Sequence, residues 1–255
     1  MRTRVIPLLL LHQGGLVKSV RFKNYRYIGD PINAVKIFNE KEVDEIVILN
    51  IDATQQKKPP NFELIKEIAS EAFMPMAYGG GITTLNEVKQ ILYNGMEKVV
   101  INKAATTNPQ LITDIAQQFG SQSVVVSIDY KRNLFGKQKI MTNNGKQNIS
   151  PTIIEFAKQM EAAGAGELML TNIDNEGTYN GYDLQTLQQI AAAVSIPIVV
   201  AGGASTVTDF ALAVQHGASA VAAGSMFVLQ RPHQAVLISY PTQQELKEKL
   251  FTIDN

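Results

Sequence analysis

The sequence predicts an α/β fold: a (β/α)8 TIM-type barrel with an internal twofold half-barrel repeat. Three observations predict it. Eight short apolar runs recur along the 255 residues, and most of the stretches between them carry apolar residues at helical period. The runs are apolar throughout instead of alternating, which marks strands covered on both faces, as in a parallel sheet wrapped by helices. The chain also coincides with itself at an offset of 122 residues. The competing architecture is a doubly wound open sheet, but eight evenly spaced units favour closure.

The runs are residues 5–11, 46–51, 74–78, 99–101, 124–128, 168–170, 196–201 and 220–223. Helical spacing joins Leu64, Ile65, Ile68 and Ala72 after the second run, and Leu85, Val88, Ile91 and Leu92 after the third. It joins Ile153, Phe156, Ala157 and Met160 after the fifth, and Leu184, Leu187, Ile190 and Ala191 after the sixth. The repeat superposes EIVILNID at 45–52 on ELMLTNID at 167–174. It also places Pro75 on Pro197, Gly80-Gly81 on Gly202-Gly203, and Asn102-Lys103 on Gly224-Ser225. One domain is expected over 1–255, in halves of about 1–121 and 122–255.

Composition narrows the functions. Lys+Arg and Asp+Glu are both 23, so no basic footprint points to nucleic acid. A 45% hydrophobic content excludes wholesale disorder. Absence of cysteine removes thiol nucleophiles and Cys–zinc sites and suits a cytoplasmic protein. His12, His216 and His233 show no ligand spacing, so neither metal nor cofactor is expected. The apolar stretch 1–11 is too short to span a bilayer and reads as a buried strand, and no membrane association is expected.

In this architecture the loops after the strands build the active face. Gly79-Gly80-Gly81 follows the third strand and Gly202-Gly203 the seventh. Glycine lets backbone N–H groups approach an anion, although Gly-rich turns also simply bend a chain. Asn102, Lys103, Gly224 and Ser225 close the strands next to those loops. The paired Gly80, Gly81, Asn102, Lys103 and Gly202, Gly203, Gly224, Ser225 suit a small molecule with a phosphate at each end. At the opposite end Arg4, Glu45, Lys98 and Glu167 open four strands, and Arg4 and Lys98 share parity with the interior rows. Charges there must pair, so a neutral salt-bridge plug is one reading.

The sequence resembles the cyclase subunit of imidazole glycerol phosphate synthase over residues 1 to about 228. The stretches that carry the resemblance are GGGI at 79–82, Asn108-Pro109, FGSQ at 119–122, VVVSID at 124–129, Gly177-Thr178 with Gly181-Tyr182-Asp183, and Gly202-Gly203. The resemblance implies a two-phosphate ligand on a half-barrel repeat. It also implies a glutaminase partner at the barrel bottom, with Arg4, Glu45, Lys98 and Glu167 as the ammonia gate between them. Gln122 matches a residue near the glutaminase-facing surface, and Lys18 a lysine of the first active-face loop.

The family's two catalytic aspartates are matched unequally. Asp129 stands at the end of the fifth strand, but the position at the end of the first holds Leu10. Two carboxylates can act as acid and base, whereas leucine can do neither. Asn50 stands where the family has an acid, with Asp52 near it, and Lys103 replaces a threonine. His12, two residues past Leu10, is either a substitute acid–base group or a polar lead into a mobile loop. The tail at 231–241 resembles a subgroup tied to surface-polysaccharide synthesis, in which a separate ATP-dependent amidotransferase receives the ammonia. Residues 235–239 are a contact for it or a buried edge. Three functions compete: an ammonia-conducting subunit of such a complex, an active cyclase of histidine biosynthesis, and a non-catalytic phosphate-ligand scaffold.

Overall fold

A computed structural model describes residues 2–133 and 135–252. Met1, at the head of the apolar stretch, lies outside the described residues. Eight parallel strands close into a ring: β1 (Arg4–His12), β2 (Ile46–Asn50), β3 (Met76–Gly79), β4 (Lys98–Ile101), β5 (Val124–Arg132), β6 (Glu167–Asn172), β7 (Ile198–Ala201) and β8 (Ala220–Ala223). Arg4 lies opposite Ala220 and Leu8 opposite Val47, so β1 joins β8 to β2 and no edge remains. Helices α1 (Pro31–Glu40), α2 (Phe62–Ser70), α3 (Leu85–Tyr93), α4 (Gln110–Phe119), α5 (Ile153–Ala162), α6 (Leu184–Ala191) and α7 (Val207–Gln215) cover the outside.

Each strand is buried on both faces because its two side-chain rows enter two different cores. Val5, Leu9, Ile46, Ile48 and Val126 face the helices. Ile6, Leu8, Val47, Val100, Val125, Met169 and Val199 fill the barrel.

The repeat is visible in hydrogen bonds 122 positions apart. Asn50 Oδ1 accepts from Asp52 N at 3.0 Å, and Asn172 Oδ1 accepts from Asp174 N at 2.9 Å. Glu87 accepts from the N–H groups of Thr83 and Thr84 at 2.8 and 2.9 Å, as Asp209 does from Ser205 and Thr206, both at 2.8 Å. Gly80 and Gly202, at φ +117° and +90°, press on the carbonyls of Asn50 and Asn172, where a Cβ would lie 2.2 and 2.6 Å from the oxygen.

Strand limits differ from the sequence expectation in places with a physical reason. Residues 74–75 and 196–197 precede their strands, because Pro75 and Pro197 offer no N–H. Their carbonyls still accept from Ile46 and Leu168 at 3.0 and 2.9 Å. The segment after β1 is a regular antiparallel hairpin, Gly15–Val20 with Lys23–Gly29, not an irregular loop. Gln13 and Gly14 turn at φ +50° and +81°, the sign pattern of a type I′ hairpin turn. A second excursion pairs β5 with Gln138–Thr142.

Residues 229–236 form another short hairpin, Leu229–Gln230 with Ala235–Val236, so the 235–239 run is not a buried edge. Val236 and Leu237 are exposed. The chain then returns to the barrel, where Tyr240 Oη donates to the carbonyl of Val5 at 2.9 Å. Among the described residues no helix is long and apolar enough to cross a membrane.

Candidate functional site

The C-terminal ends of β1–β6 surround a cavity of about 560 Å³. Its floor follows from strand parity. Val125, Ser127 and Asp129 form one inward row, and Glu167, Met169 and Thr171 form another. Asp129 Oδ1 accepts from Ser127 Oγ and Oδ2 from Asn102 Nδ2, both at 3.2 Å. Asn102 Nδ2 also donates to the Ser127 carbonyl at 3.0 Å, which fixes the amide over the carboxylate. Burial pushes the Asp129 carboxyl up to about 7. Hydrogen bonds from Ser127 and Thr171 oppose that rise, and the nearby charge of Glu176 adds to it. A group so placed can give and take a proton near neutral pH.

Leu10 lines the same cavity, 7% exposed, at the end of the Arg4–Ile6–Leu8–Leu10 row. The other carboxylates lining the cavity are committed. Glu87 Oε2 closes the start of α3, and Glu176 lies 3.5 Å from Lys18 Nζ. Asn50 also lines the cavity, with its oxygen held by Asp52 N and Ala53 N at 3.0 and 3.2 Å.

His12 does not enter the cavity lining. Its Nδ1 lies 2.6 Å from Asp52 Oδ1, and its ring sits on Tyr25 at 5.1 Å between centroids. Asp52 also accepts from Gln13 N at 2.7 Å, so the pair anchors the hairpin turn. Tyr25 in turn lines the cavity.

The eight predicted anion contacts do not share one space. Gly80, Gly81, Asn102 and Lys103 line the large cavity. Gly202, Gly203, Gly224 and Ser225 line a separate space of about 10 Å³. Lys18 is buried there, its ammonium against Gly224, and Tyr179 Oη reaches the Ser225 carbonyl at 3.4 Å. Arg231 stacks over the Tyr179 ring at 4.7 Å and donates to Ser205 Oγ at 2.8 Å. The glycines of both halves have a packing reason of their own, the carbonyls they press on.

At the opposite end the four predicted charges meet. Arg4 bridges Glu45 and Glu167 through its two terminal nitrogens. Lys98 bridges the same two carboxylates at 3.1 and 3.2 Å, so the charges alternate around a closed ring. Glu45 and Glu167 are 3% and 6% exposed, which makes the ring the floor of the apolar interior and not a surface cluster. Burial works against the Arg4 charge, but Glu167 and Glu45 outweigh it and hold the guanidinium well protonated. On the same end Phe73 and Tyr93 stand 91% and 90% exposed, and Gln122, just before β5, is exposed as well.

Ser127, Thr171, Glu176, Lys57, Lys58, Phe22 and Tyr25 also line the cavity and escaped the sequence reading. Ser127 and Thr171 carry the signal of parity with Asp129 and Glu167. Phe22 and Tyr25 carry none, because only the hairpin brings them over the barrel mouth.

A family model described as "Histidine biosynthesis protein" matches residues 4–232. The chain is 48% identical to "Putative imidazole glycerol phosphate synthase subunit hisF2" of Pseudomonas aeruginosa, over 96% of this chain and 98% of that protein. It is also 48% identical to the subunit hisF3 of Vibrio vulnificus printed under the same "Putative" name, over 98% of this chain and 97% of that one. Identity to the imidazole glycerol phosphate synthase subunit HisF of Alkaliphilus metalliredigens is 39%, over 88% and 89%. Full-length barrels of one kind match throughout, and the numbered copies match better than this HisF. The chain therefore belongs to the HisF family of imidazole glycerol phosphate synthase subunits, as a divergent paralogue.

Proposed function

We propose that the chain is the barrel subunit of a glutamine amidotransferase complex. A glutaminase docks on the end that carries the four-charge ring. Ammonia enters there, passes the barrel interior, and reaches the cavity around Asp129. A separate ATP-dependent amidotransferase uses it to amidate a nucleotide-linked or surface-polysaccharide sugar. Phosphate of the ligand sits on the open glycine loop at Gly80 and Gly81.

One observation carries this reading. The alternating Arg4, Glu45, Lys98, Glu167 ring is complete, while the strand-1 position facing the same cavity as Asp129 holds Leu10. A neutral small nucleophile needs an apolar path and a gate, and the apolar barrel interior above the charge ring supports that reading. Ring closure with bond cleavage needs two proton-transfer groups, and one position cannot supply its share. The exposed Phe73 and Tyr93 at the same end of the barrel fit a protein-covered face.

The test is the glutaminase turnover of a co-encoded HisH-type partner. The chain should raise it, and Arg4→Ala or Lys98→Ala should weaken the stimulation. Absence of binding to the glutaminase ends the reading.

A second reading, an active cyclase, has its own support. Burial holds the Asp129 carboxyl at about 7 and the charge of Glu176 contributes to that rise, so a second carboxyl group stands near the first. That reading requires imidazole glycerol phosphate formation with added ammonium, abolished in Asp129→Asn. Leu10→Asp separates the cases. Ring closure in the variant but not the parent identifies Leu10 as the lesion, and none in either implicates Asn50 and Lys103 as well.

A further inference from the structure

We infer that the cavity takes a diphosphate ester whose phosphates lie together at one end and whose organic part is uncharged. This rests on the proposed function only in taking the cavity as the acceptor site. The two anion sites predicted from the repeat have diverged. On the open side Lys57, Lys58 and Lys103 line the cavity beside Gly80 and Gly81. None of these three ammoniums has an ion-pair partner among the described residues. Three unneutralised cations on one rim match more than one phosphate.

The other side is the reverse. Its free space is about 10 Å³, and its one interior cation, Lys18, is neutralised by Glu176 at 3.5 Å. A second terminal phosphate there meets a filled site whose buried cation is already paired. Between the two ends, the cavity offers Leu8, Leu10 and Tyr25 instead of cations. Ser19, a lining residue 3% exposed, also carries a buried hydroxyl with no hydrogen-bond partner among the described residues. A buried hydroxyl left open in this way costs free energy unless a ligand or water meets it.

Calorimetric titration of the full chain tests this with four probes: inorganic phosphate, inorganic pyrophosphate, uridine diphosphate and fructose 1,6-bisphosphate. Pyrophosphate should bind about tenfold tighter than phosphate, and uridine diphosphate at least as tightly as pyrophosphate. Affinity should fall steeply with salt. Lys57→Ala, Lys58→Ala and Lys103→Ala, all on exposed side chains, should each weaken pyrophosphate by about three- to tenfold. Tighter binding of the two-ended bisphosphate than of uridine diphosphate overturns the proposal. So does pyrophosphate affinity unchanged in the three variants, and so does free pyrophosphate binding better than its ester. These probes need no glutaminase. Loss of the diphosphate preference with glutaminase stimulation intact defeats this inference alone, and the converse defeats the proposed function alone.

Discussion

Asp129 pays for its position in charge, and the cost has a sign that can be measured. Its folded value of about 7 lies above the ordinary 3.8, so the native state holds the proton more tightly than the unfolded chain does. The associated stability is full below about pH 4 and lost as pH rises through about 7. Asp129→Asn keeps an oxygen for Ser127 and cannot ionise. It should therefore be more stable than the parent at pH 8, by up to about 4 kcal/mol, with the gain shrinking toward pH 4. Denaturant melts at the two pH values check this. A gain equal at both, or a loss at pH 8, contradicts the desolvated carboxylate described here. The neighbours of Asp129 were partly legible from sequence, because Ser127 and Asn102 sit on inward rows once strand parity is known. Glu176 was not, because it reaches the site from a loop after β6 and only its pairing with Lys18 places it.

At the level of elements, the hairpin Gly15–Val20 with Lys23–Gly29 works as a strap across the active face. It starts in the first half of the barrel and is fastened to the second. Arg21 N donates to the Glu176 carbonyl at 2.9 Å, and Arg21 Nε to that of Asp174 at 3.0 Å. Gly177, at φ +74°, packs so closely that a Cβ would lie 2.3 Å from the Ser19 carbonyl. Gly177→Ala should lift the strap. The expected result is faster tryptic cleavage at Arg21, Lys23 and Arg26, with little change in the far-ultraviolet spectrum. Cleavage at the parental rate would mean that the strap is not held by that contact. The eight barrel strands were legible because each is short, apolar and bounded, and the long helices because their period is clean. The hairpin was not: Lys23–Gly29 is mostly exposed and polar, so it leaves no hydrophobic pattern to read.

The whole molecule joins two ends of different chemistry. One end carries a complete ring of charge, and at the other the β1 position facing the cavity of Asp129 holds Leu10, while one of the two symmetry-related glycine sites is filled. The ring also supports the fold. Lys98→Ala leaves Glu45 and Glu167 buried with Arg4 alone between them, and should cost about 1–3 kcal/mol in a thermal or denaturant melt. An unchanged melting temperature would show the ring to be energetically idle. The repeat made both ends readable in outline, since residues 122 positions apart keep the same turns and caps. It gave no sign of one difference between the halves, that Lys18 and Tyr179 lie against Gly224 and Ser225. The most direct test of the central claim is the steady-state glutaminase rate of the HisH-type partner with parent chain, Arg4→Ala or Lys98→Ala. Strong stimulation by the parent, lost or uncoupled in both variants, is the predicted result. No stimulation by the parent, or stimulation indifferent to the ring, would contradict it.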